Sequence, residues 1–351
     1  GELKNTFCLT SGQKLYLSPY IGDLGDARAI EALEAARLRM QGMLSVRPEA
    51  AVCDLHPDYH SSHYARSLGL PVLGVQHHFA HIASCLAENG RPGPVIGVAF
   101  DGTGYGADGT LWGGEFLVAS LRGFERPGSI EPFALFGGDA ASVEFWRPAV
   151  SLLLQAGGER AAQSATELGI CSAPQLAAAR AAIAQGLNCV KSTSVGRLFD
   201  AAAAVLGVKA RSDFEGEAAM TLEYAAREGS TGFEFEPEIV GGAPFMLNTG
   251  ALIARLLEER LDGTPRAMLA YGFHEALARM VVLGCEKCRA MSGLGVVALS
   301  GGCFQNLLLL ELCRSALEKS GFDLLLHSMV PANDGGIALG QAAVWMAGAG
   351  D

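Results

Sequence analysis

The end of the chain alternates between strand-like and helix-like segments, and this alternation limits the fold more than any other feature of the sequence. An apolar run at 296–299 leads through Ser300-Gly301-Gly302 into a helical pattern. A second run at 324–327 leads to Asn333-Asp334-Gly335-Gly336 and a closing helix through Trp345. Alternating strands and helices indicate a mixed α/β fold whose ligands bind at the carboxyl ends of strands.

The composition narrows the class of protein. At 351 residues, 50% of them hydrophobic and 18% charged, the chain should form a compact globule with two or three core-bearing units. A net charge of -11 argues against a broad nucleic-acid surface, because phosphate backbones are bound by clustered Lys and Arg. The apolar stretches are too interrupted by charged residues to span a bilayer.

Nine cysteines without a framework spacing fit a reducing cytoplasm better than a disulfide scaffold. The first twenty residues carry no signal-peptide pattern. Cys285 and Cys288 form a lone C-x-x-C inside a predicted helix, which favours a reduced, structural pair. Cys303 follows a glycine turn but has no His or Asp beside it in sequence, so core packing is the favoured role.

The segment Arg91-Pro92-Gly93-Pro94 predicts a boundary between two lobes, because it interrupts both helix and strand patterns. We place the first lobe at 1–92 and the second at 93–351, with an Ala-rich helical insertion at about 141–230. Spacing and capping signals predict further elements: a hairpin within 6–20, a helix after Asp26, strands at 51–54 and 71–75, helices at 61–68 and 77–88, strands at 95–100 and 111–120 joined by a turn at 101–106, and helices from Ser172, Ser194 and Pro265.

Six of the eight histidines lie between His56 and His81. Residues four apart on a helix share one face, so His77 and His81 can direct two imidazoles at one metal ion, while His78 points elsewhere. Further ligands must come from distant parts of the chain, and Asp101 and Asp334 at strand ends qualify. The spacing alone fits a polar helix face without a metal equally well.

Two glycine-rich turns follow predicted strands, at 100–104 and 299–302. Glycines there let backbone N–H groups approach a phosphate, although a tight turn without a ligand explains either one alone. Together with Asp334-Gly335-Gly336 they suggest a cleft that holds a nucleotide with its metal. Neither turn is a Walker motif, and neither has the context of a dinucleotide-binding fingerprint.

The chain closely resembles the carboxy-terminal region of the HypF proteins, which are hydrogenase-maturation carbamoyltransferases. Seven motifs carry the resemblance and run in order across nearly the whole chain: Glu2-Leu3-Lys4-Asn5-Thr6, Ile21-Gly22-Asp23-Leu24, Asp54-Leu55-His56-Pro57-Asp58-Tyr59, Val75-Gln76-His77-His78-Phe79-Ala80-His81, Phe100-Asp101-Gly102-Thr103-Gly104-Tyr105-Gly106, Leu299-Ser300-Gly301-Gly302-Cys303-Phe304-Gln305-Asn306 and Asn333-Asp334-Gly335-Gly336. This region is similar to the TsaD-type threonylcarbamoyl transferases and to antibiotic O-carbamoyltransferases.

The resemblance implies an actin-like (ASKHA) fold of duplicated ribonuclease-H-like lobes with a nucleotide and a metal in the cleft between them. It implies that His77, His81 and Asp334 ligate a divalent metal, zinc or iron, and that Asp101 joins them directly or through water. Asp101 and Lys4 are then the candidate catalytic residues, with Lys4 facing the carbamoyl-phosphate end.

The resemblance also implies binding of ATP, AMP or carbamoyl-adenylate. The candidate phosphate- and ribose-binding residues are Asp101, Gly102, Thr103, Gly104, Gly301, Gly302 and Asn306, with Asp200 and Gly216 nearer the nucleoside. Full-length HypF proteins resemble a series of further domains that include one making carbamoyl-adenylate. The chain opens at the transfer lobe, so we expect that it does not make carbamoyl-adenylate by itself.

The implied reaction moves a carbamoyl group from carbamoyl-adenylate to the C-terminal cysteine thiol of a HypE-type protein, for synthesis of the cyanide ligand of nickel-iron hydrogenase. The implied partners are that acceptor and the upstream adenylate-forming domain, in the cytoplasm, without nucleic acid or membrane. The sequence leaves two alternatives open. One is an O-carbamoyl- or threonylcarbamoyl-transferase acting on a hydroxyl or tRNA, and the other is a non-enzymatic, actin-like nucleotide switch.

Overall fold

A computed structural model of the protein describes residues 2–229 and 233–348. The outer limits of the two predicted lobes at 1 and 351, and the end of the predicted insertion at 230, lie outside the described residues. The described helices are α1 (Ala27–Leu44), α2 (His60–Ser67), α3 (His77–Glu88), α4 (Ala140–Val143), α5 (Trp146–Glu167), α6 (Ala173–Gln185), α7 (Val195–Leu206), α8 (Glu217–Arg227), α9 (Thr249–Leu261), α10 (Arg266–Ser292), α11 (Leu307–Lys319) and α12 (Ile337–Gly348).

The strands are interspersed with these helices along the chain, which confirms the mixed α/β class. They are β1 (Cys8–Ser11), β2 (Lys14–Leu17), β3 (Ala51–Asp54), β4 (Val72–Val75), β5 (Val95–Tyr105), β6 (Leu111–Ser120), β7 (Gly123–Ile130), β8 (Phe133–Phe136), β9 (Cys189–Ser192), β10 (Ile239–Val240), β11 (Phe245–Leu247), β12 (Val296–Ser300) and β13 (Asp323–Leu325). Two 3-10 helices, Gly302–Gln305 and Asp334–Gly336, follow the strands near the end of the chain.

One nine-stranded sheet forms the centre of the molecule, with the order β10-β11-β7-β6-β5-β12-β13 and with β9 joining β6 to β8. β5, β6 and β7 are antiparallel neighbours, whereas β12 runs parallel to β5. Because parallel neighbours end at the same edge of a sheet, the residues after Phe100 and after Ser300 meet there. A Cβ on Gly301, whose φ is 103°, would lie 2.2 Å from the carbonyl oxygen of Phe100.

The predicted turn at 101–106 is wrong. β5 continues to Tyr105 through a register shift between Phe100 and Gly104, and the chain reverses later, where the Gly106 N–H donates to the Thr110 carbonyl at 2.9 Å. A β-bulge leaves its extra residues outside the regular pairing and redirects their side chains. The bulge therefore frees Asp101 from the strand alternation.

Residues 2–90 form two small two-stranded sheets, not a second large one. β1 and β2 make the predicted hairpin, and β3 pairs with β4 in parallel, with Asp54 opposite Val75. α1 begins after Asp26, whose carboxylate accepts the Arg28 N–H at 2.9 Å, as the capping signal predicted. Since β4 leads directly into α3, the end of β3 lies beside the start of α3.

α3 lies between the large sheet and α12. Every residue from His77 to Leu86 is buried, and the helix packs against β5, β6 and β12 on one side and against α12 on the other. Complete burial of side chains such as Ile82 and Leu86 stabilises the fold by about 1.5–3 kcal/mol each. These contacts cross the predicted lobe boundary at residue 92, which stays a prediction.

The Ala-rich insertion contains the predicted helices after Ser172 and Ser194, whose hydroxyls accept the N–H groups of Gln175 and Arg197. It also contains β9, which the composition did not indicate. β9 pairs with β8, just before the insertion, and with β6 of the large sheet. Strands as short as these depend on distant partners and carry little local pattern.

Gly340 of α12 sets the distance between α12 and α3. A Cβ there would lie 1.9 Å from the Ala80 carbonyl oxygen, so we expect Gly340→Ala to lower the free energy of unfolding by about 3 kcal/mol. Gly348→Ala in the same helix meets nothing within 4 Å and should change it by less than about 1 kcal/mol. Denaturant unfolding measures both, and equal effects would contradict this account of the packing.

Candidate metal and nucleotide site

The two histidines four residues apart lie at the start of α3. Gln76 caps the helix, because its side-chain oxygen accepts the Phe79 N–H at 2.9 Å. His77 and His81 therefore lie one turn apart with both rings almost fully buried, and their ring centroids are 5.0 Å apart. The Nε2 atoms of both rings face the same two carboxylates, and the role of the two histidines as metal ligands stays a prediction.

The two carboxylates are those of Asp101 and Asp334. The Asp101 Oδ2 atom lies 3.2 Å from His77 Nε2 and 3.3 Å from His81 Nε2. The Asp334 Oδ1 atom lies 3.6 Å from each of the same two nitrogens. One ligand atom from each of the four residues lies within 4.8 Å of all the others, so the structure brings together the four metal ligands predicted from the sequence.

This cluster fits a divalent metal better than it fits a hydrogen-bonded core. His81 Nε2 is buried and makes no hydrogen bond within the described part of the chain, although Asp101 Oδ2 is near it. An unsatisfied buried nitrogen costs free energy unless a ligand completes it. Two imidazoles with two carboxylates form a donor set that zinc and iron both accept.

The electrostatics of the cluster favour the charged forms of all four groups. Burial acts to raise the pKa of Asp101 and Asp334, but His77 and His81 outweigh it and hold both pKa values below the usual range. Burial acts to lower the pKa of each histidine, and the two carboxylates raise it instead. The carboxylates are therefore anionic, which is the state that binds a cation, and a metal that binds the two histidines would displace their Nε2 protons.

Asp54 contacts His77 on the side of the ring away from the cluster, and no role for it was predicted from the sequence. Its Oδ2 atom lies 2.7 Å from His77 Nδ1, and both side chains are 1% exposed. A carboxylate on one ring nitrogen orients the imidazole and directs the other nitrogen to a metal. The available signal was an aspartate at the end of β3, the strand that pairs with β4, which leads into the histidine helix.

His78 does not join the cluster. Its ring lies 6.1 Å from that of Trp112, and its Nδ1 atom is 3.3 Å from Gln76 Nε2. Gly104 of the bulged strand passes directly over both neighbouring histidines, since a Cβ there would lie 2.5 Å from His78 Cε1 and 2.7 Å from His77 Cδ2. Gly104 therefore has a packing role as well as its predicted nucleotide role.

The second glycine turn joins the cluster through its backbone. The Gly302 N–H donates to Asp101 Oδ1 at 3.0 Å, and the Gly301 N–H donates to the Ala332 carbonyl at 3.0 Å. Both N–H groups are thus used within the protein. A phosphate contact at these two glycines stays a prediction.

The remaining predicted nucleotide residues are spread around the cluster. Thr103 and Gly104 line a cavity of about 450 Å³, which Arg197 also lines. Asp200 is buried with its Oδ2 atom 2.9 Å from Arg197 Nε, and burial raises the pKa of its carboxyl to about 7. Arg197 was not predicted, and it connects Asp200 to the cavity.

Asn306, Gly216 and Lys4 lie in three different settings. The Asn306 side chain caps α11, because its Oδ1 atom accepts the Leu309 N–H at 2.9 Å, and its Nδ2 atom lies 2.9 Å from His274 Nε2. Gly216 is the N-cap of α8 in the left-handed region with open space beside it. The ammonium of Lys4 pairs with Glu215. None of the three belongs to the four-ligand cluster.

Two family models match the chain. The HypF Kae1-like domain matches residues 1–88, and the second subdomain of the carbamoyltransferase Kae1-like domain matches residues 97–341. The chain belongs to the HypF family. The second match alone covers more than half of the chain, which confirms the resemblance found in the sequence.

Relatives in the HypF family support the same conclusion. The chain is 39% identical to "Carbamoyltransferase HypF" of Rhizobium leguminosarum bv. viciae, over 97% of this chain and 44% of that protein. It is 38% identical to "Carbamoyltransferase HypF homolog" of Cupriavidus necator, over 98% of this chain and 89% of that protein. The chain thus spans about half the length of the first relative and nearly all of the second.

A solved structure confirms the fold class. "Crystal structure of full-length HypF in the phosphate- and nucleotide-bound form" superposes with a TM-score of 0.92 at 35% identity, over 98% of this chain and 45% of that chain. The predicted α/β fold is therefore that of the HypF Kae1-like domain. Within residues 2–229 and 233–348, no helix is long and apolar enough to cross a membrane.

Asp54 provides a test of the site that does not require turnover. We expect Asp54→Asn to weaken the binding of Zn²⁺ by about 10- to 100-fold, because the amide replaces the anionic partner of His77 Nδ1. Competition with a metal chelator measures the affinity. Asp58→Asn, an exposed aspartate in the same segment, is the matched control. Equal affinities of the Asp54 variant and the parent would contradict the orienting role.

Proposed function

We propose that the chain is the carbamoyl-transferring part of a HypF-type carbamoyltransferase, with a divalent metal, zinc or iron, held by His77, His81, Asp101 and Asp334. One observation carries the proposal: four ligand atoms from three distant segments, three on buried residues and the fourth on the partly exposed Asp334, converge within 4.8 Å, directly beside the glycine turn at Gly302. Such a cluster at the carboxyl ends of parallel strands is where an α/β fold binds its ligand.

The proposed donor is carbamoyl-adenylate, and the proposed acceptor is the C-terminal cysteine of a HypE-type protein. The acceptor sulfur attacks the carbamoyl carbon, a carbon–sulfur bond forms, the carbon–oxygen bond to the phosphate breaks, and AMP leaves. The thiol proton passes to solvent. The nucleotide-bound HypF structure supports a nucleotide in this fold, and the remainder of a longer HypF protein would supply the adenylate.

In this scheme the residues of this chain bind the metal and orient its ligands. A bound metal supplies positive charge that stabilises the phosphate of the leaving group. Asp54 fixes the ring of His77, and the Gly302 N–H fixes the carboxylate of Asp101. The bulged strand from Asp101 to Gly104 leads from the ligands to the cavity lined by Thr103 and Arg197, which has room for the reacting groups.

The nucleophile is proposed to come from the partner, because Cys303, next to Gly302, and Cys85, one helical turn after His81, are unsuited to the role. Burial raises the pKa of Cys303 well above its usual value, and it raises the pKa of Cys85 on α3 to about 12. A thiol with such a pKa is protonated near neutral pH and is a poor nucleophile. All nine cysteines are free, which agrees with the proposed cytoplasmic location.

The direct test mixes the chain with purified carbamoyl-adenylate and a HypE-type acceptor. Mass spectrometry of the acceptor should show one carbamoyl adduct on its C-terminal cysteine. A hydroxyl compound and tRNA replace the acceptor in parallel reactions, which tests the alternative transferase functions. Absence of an adduct on every acceptor, with nucleotide bound, would refute carbamoyl transfer and favour the nucleotide-switch alternative.

His81→Ala should abolish transfer while the fold remains. The substitution removes one of four ligand atoms and leaves two carboxylates facing each other, so metal content should fall below stoichiometry. Elemental analysis and circular dichroism measure content and folding. His63→Ala, a residue of the exposed face of α2, is the control and should keep both metal and activity. Full metal content in the His81 variant would show that the ligand assignment is wrong.

Cys303→Ser should keep transfer within a few-fold of the parent, provided that it folds. The side chain lies beside the site but takes no covalent part in the proposed reaction. The rate of adduct formation on the acceptor measures the effect. Complete loss of transfer in a folded Cys303 variant with normal metal content would instead indicate a nucleophile within this chain.

A further inference from the structure

A hydrogen-bonded chain of three side chains lies outside the proposed ligand cluster. Ser300 Oγ lies 2.8 Å from His327 Nε2, and His327 Nδ1 lies 2.9 Å from Glu88 Oε2. The side chains of His327 and Glu88 are 6% and 3% exposed, and Ser300 is completely buried. The three residues belong to three parts of the chain: Ser300 ends β12, His327 follows β13, and Glu88 ends α3.

The order resembles a Ser-His-acid arrangement, but the hydroxyl cannot act as a nucleophile. Ser300 has 0% exposure at the end of β12, so no substrate carbonyl can reach it. A nucleophilic serine needs an accessible Oγ beside an oxyanion site. The arrangement therefore has a structural role, because it joins β12, the segment after β13 and α3.

Glu88 is the last residue of α3, the helix that carries His77 and His81. Besides His327, its carboxylate accepts the Ser328 N–H at 2.6 Å, the Ser328 hydroxyl at 2.8 Å, and the Met329 N–H. Four donors on one carboxylate fix the start of the segment 327–334 against the end of α3. That segment ends at Asp334.

The other end of the segment is fixed to the glycine turn. The Gly301 N–H donates to the Ala332 carbonyl at 3.0 Å, and Ser300 precedes Gly301. Asp334 thus lies at the end of a segment that is hydrogen-bonded to α3 at its start and to the glycine turn near its end. The Gly302 N–H of the same turn donates to Asp101. The Ser300–His327–Glu88 contacts link the two hydrogen-bonded ends of this segment.

The protonation states of Glu88 and His327 are those that these hydrogen bonds require near neutral pH. Burial alone would raise the pKa of Glu88, but the hydrogen bonds it accepts lower that pKa to about 2, so the carboxylate is an acceptor at all physiological pH values. Burial lowers the pKa of His327, so the ring is neutral and has one N–H. The partners place that N–H on Nδ1, toward Glu88, and leave Nε2 to accept the Ser300 hydroxyl.

We propose that Glu88, His327 and Ser300 are positioning residues that hold Asp334 at its distance from His77 and His81. The inference rests on the proposed function, because it takes Asp334 as a metal ligand. Partners that orient ligands commonly change metal affinity by about 10- to 100-fold when they are removed. Here the connection acts on a whole segment of the chain, so its loss should change the geometry of the site as well as its affinity.

The test measures binding of Co²⁺ and Zn²⁺ to the full chain by chelator competition, together with the visible spectrum of the Co²⁺ form. Measurements are made at a temperature where circular dichroism shows each protein to be folded. Glu88→Gln and His327→Leu should weaken binding by about 10- to 100-fold and should alter the Co²⁺ spectrum. His327→Asn can still donate to Glu88 and should lose less affinity than His327→Leu.

Glu259→Gln is the matched control, because Glu259 accepts the Thr264 hydroxyl at 2.7 Å near the end of α9 in the same way that Glu88 binds the segment after β13. It should leave affinity and spectrum unchanged. A purely structural role of Glu88 would lower the melting temperature without changing either metal property of the folded protein.

The outcomes separate the inference from the proposed function. If the parent binds one metal and loses it on His81→Ala, but Glu88→Gln and His327→Leu match the parent in affinity and spectrum, the positioning role is overturned and the metal site stands. If the parent binds no metal, both are overturned. Should Glu88→Gln fail to fold, Ser300→Ala decides: weaker binding supports the role, and unchanged binding overturns it.

Discussion

The buried carboxylate of Asp101 is the interaction on which the rest of the site depends. Its Oδ2 atom lies within 3.3 Å of the Nε2 atoms of His77 and His81, and its Oδ1 atom accepts the Gly302 N–H. A buried charge is stable only when it is paired and hydrogen-bonded. This one carboxylate therefore requires the bulge in β5, the histidine helix and the second glycine turn to be in place at the same time.

The sequence predicted the parts of this arrangement that are encoded locally. The limits of α3 follow from helical spacing between Gln76 and Asn89, and the caps at Asp26, Ser172 and Ser194 are each set by a side chain within three residues. Helical spacing alone also brought His77 and His81 to one face. Asp101 and Asp334 qualified as partners only by their positions at strand ends, and the resemblance to HypF singled them out.

The parts that the sequence did not predict depend on contacts between distant residues. Asp54 reaches His77 across 23 positions, and His327 reaches Glu88 across 239. No local pattern encodes such pairs. The turn predicted at 101–106 failed for a related reason: glycines typical of a turn here let a strand pass close to two histidine rings, and only the position of α3 distinguishes the two cases.

Two glycines, which have no side chain, also determine where α3 lies. A Cβ on Gly97 would meet Ile82 at 2.7 Å, and one on Gly340 would meet the Ala80 carbonyl oxygen at 1.9 Å, so the helix can approach both the sheet and α12 more closely than larger residues would allow. Interiors packed in this way resist small shifts. Because both histidines belong to α3 and Asp101 belongs to the sheet, the packing of this helix sets the distance between imidazole and carboxylate. The geometry of the proposed metal site is then a property of the core as much as of the four side chains.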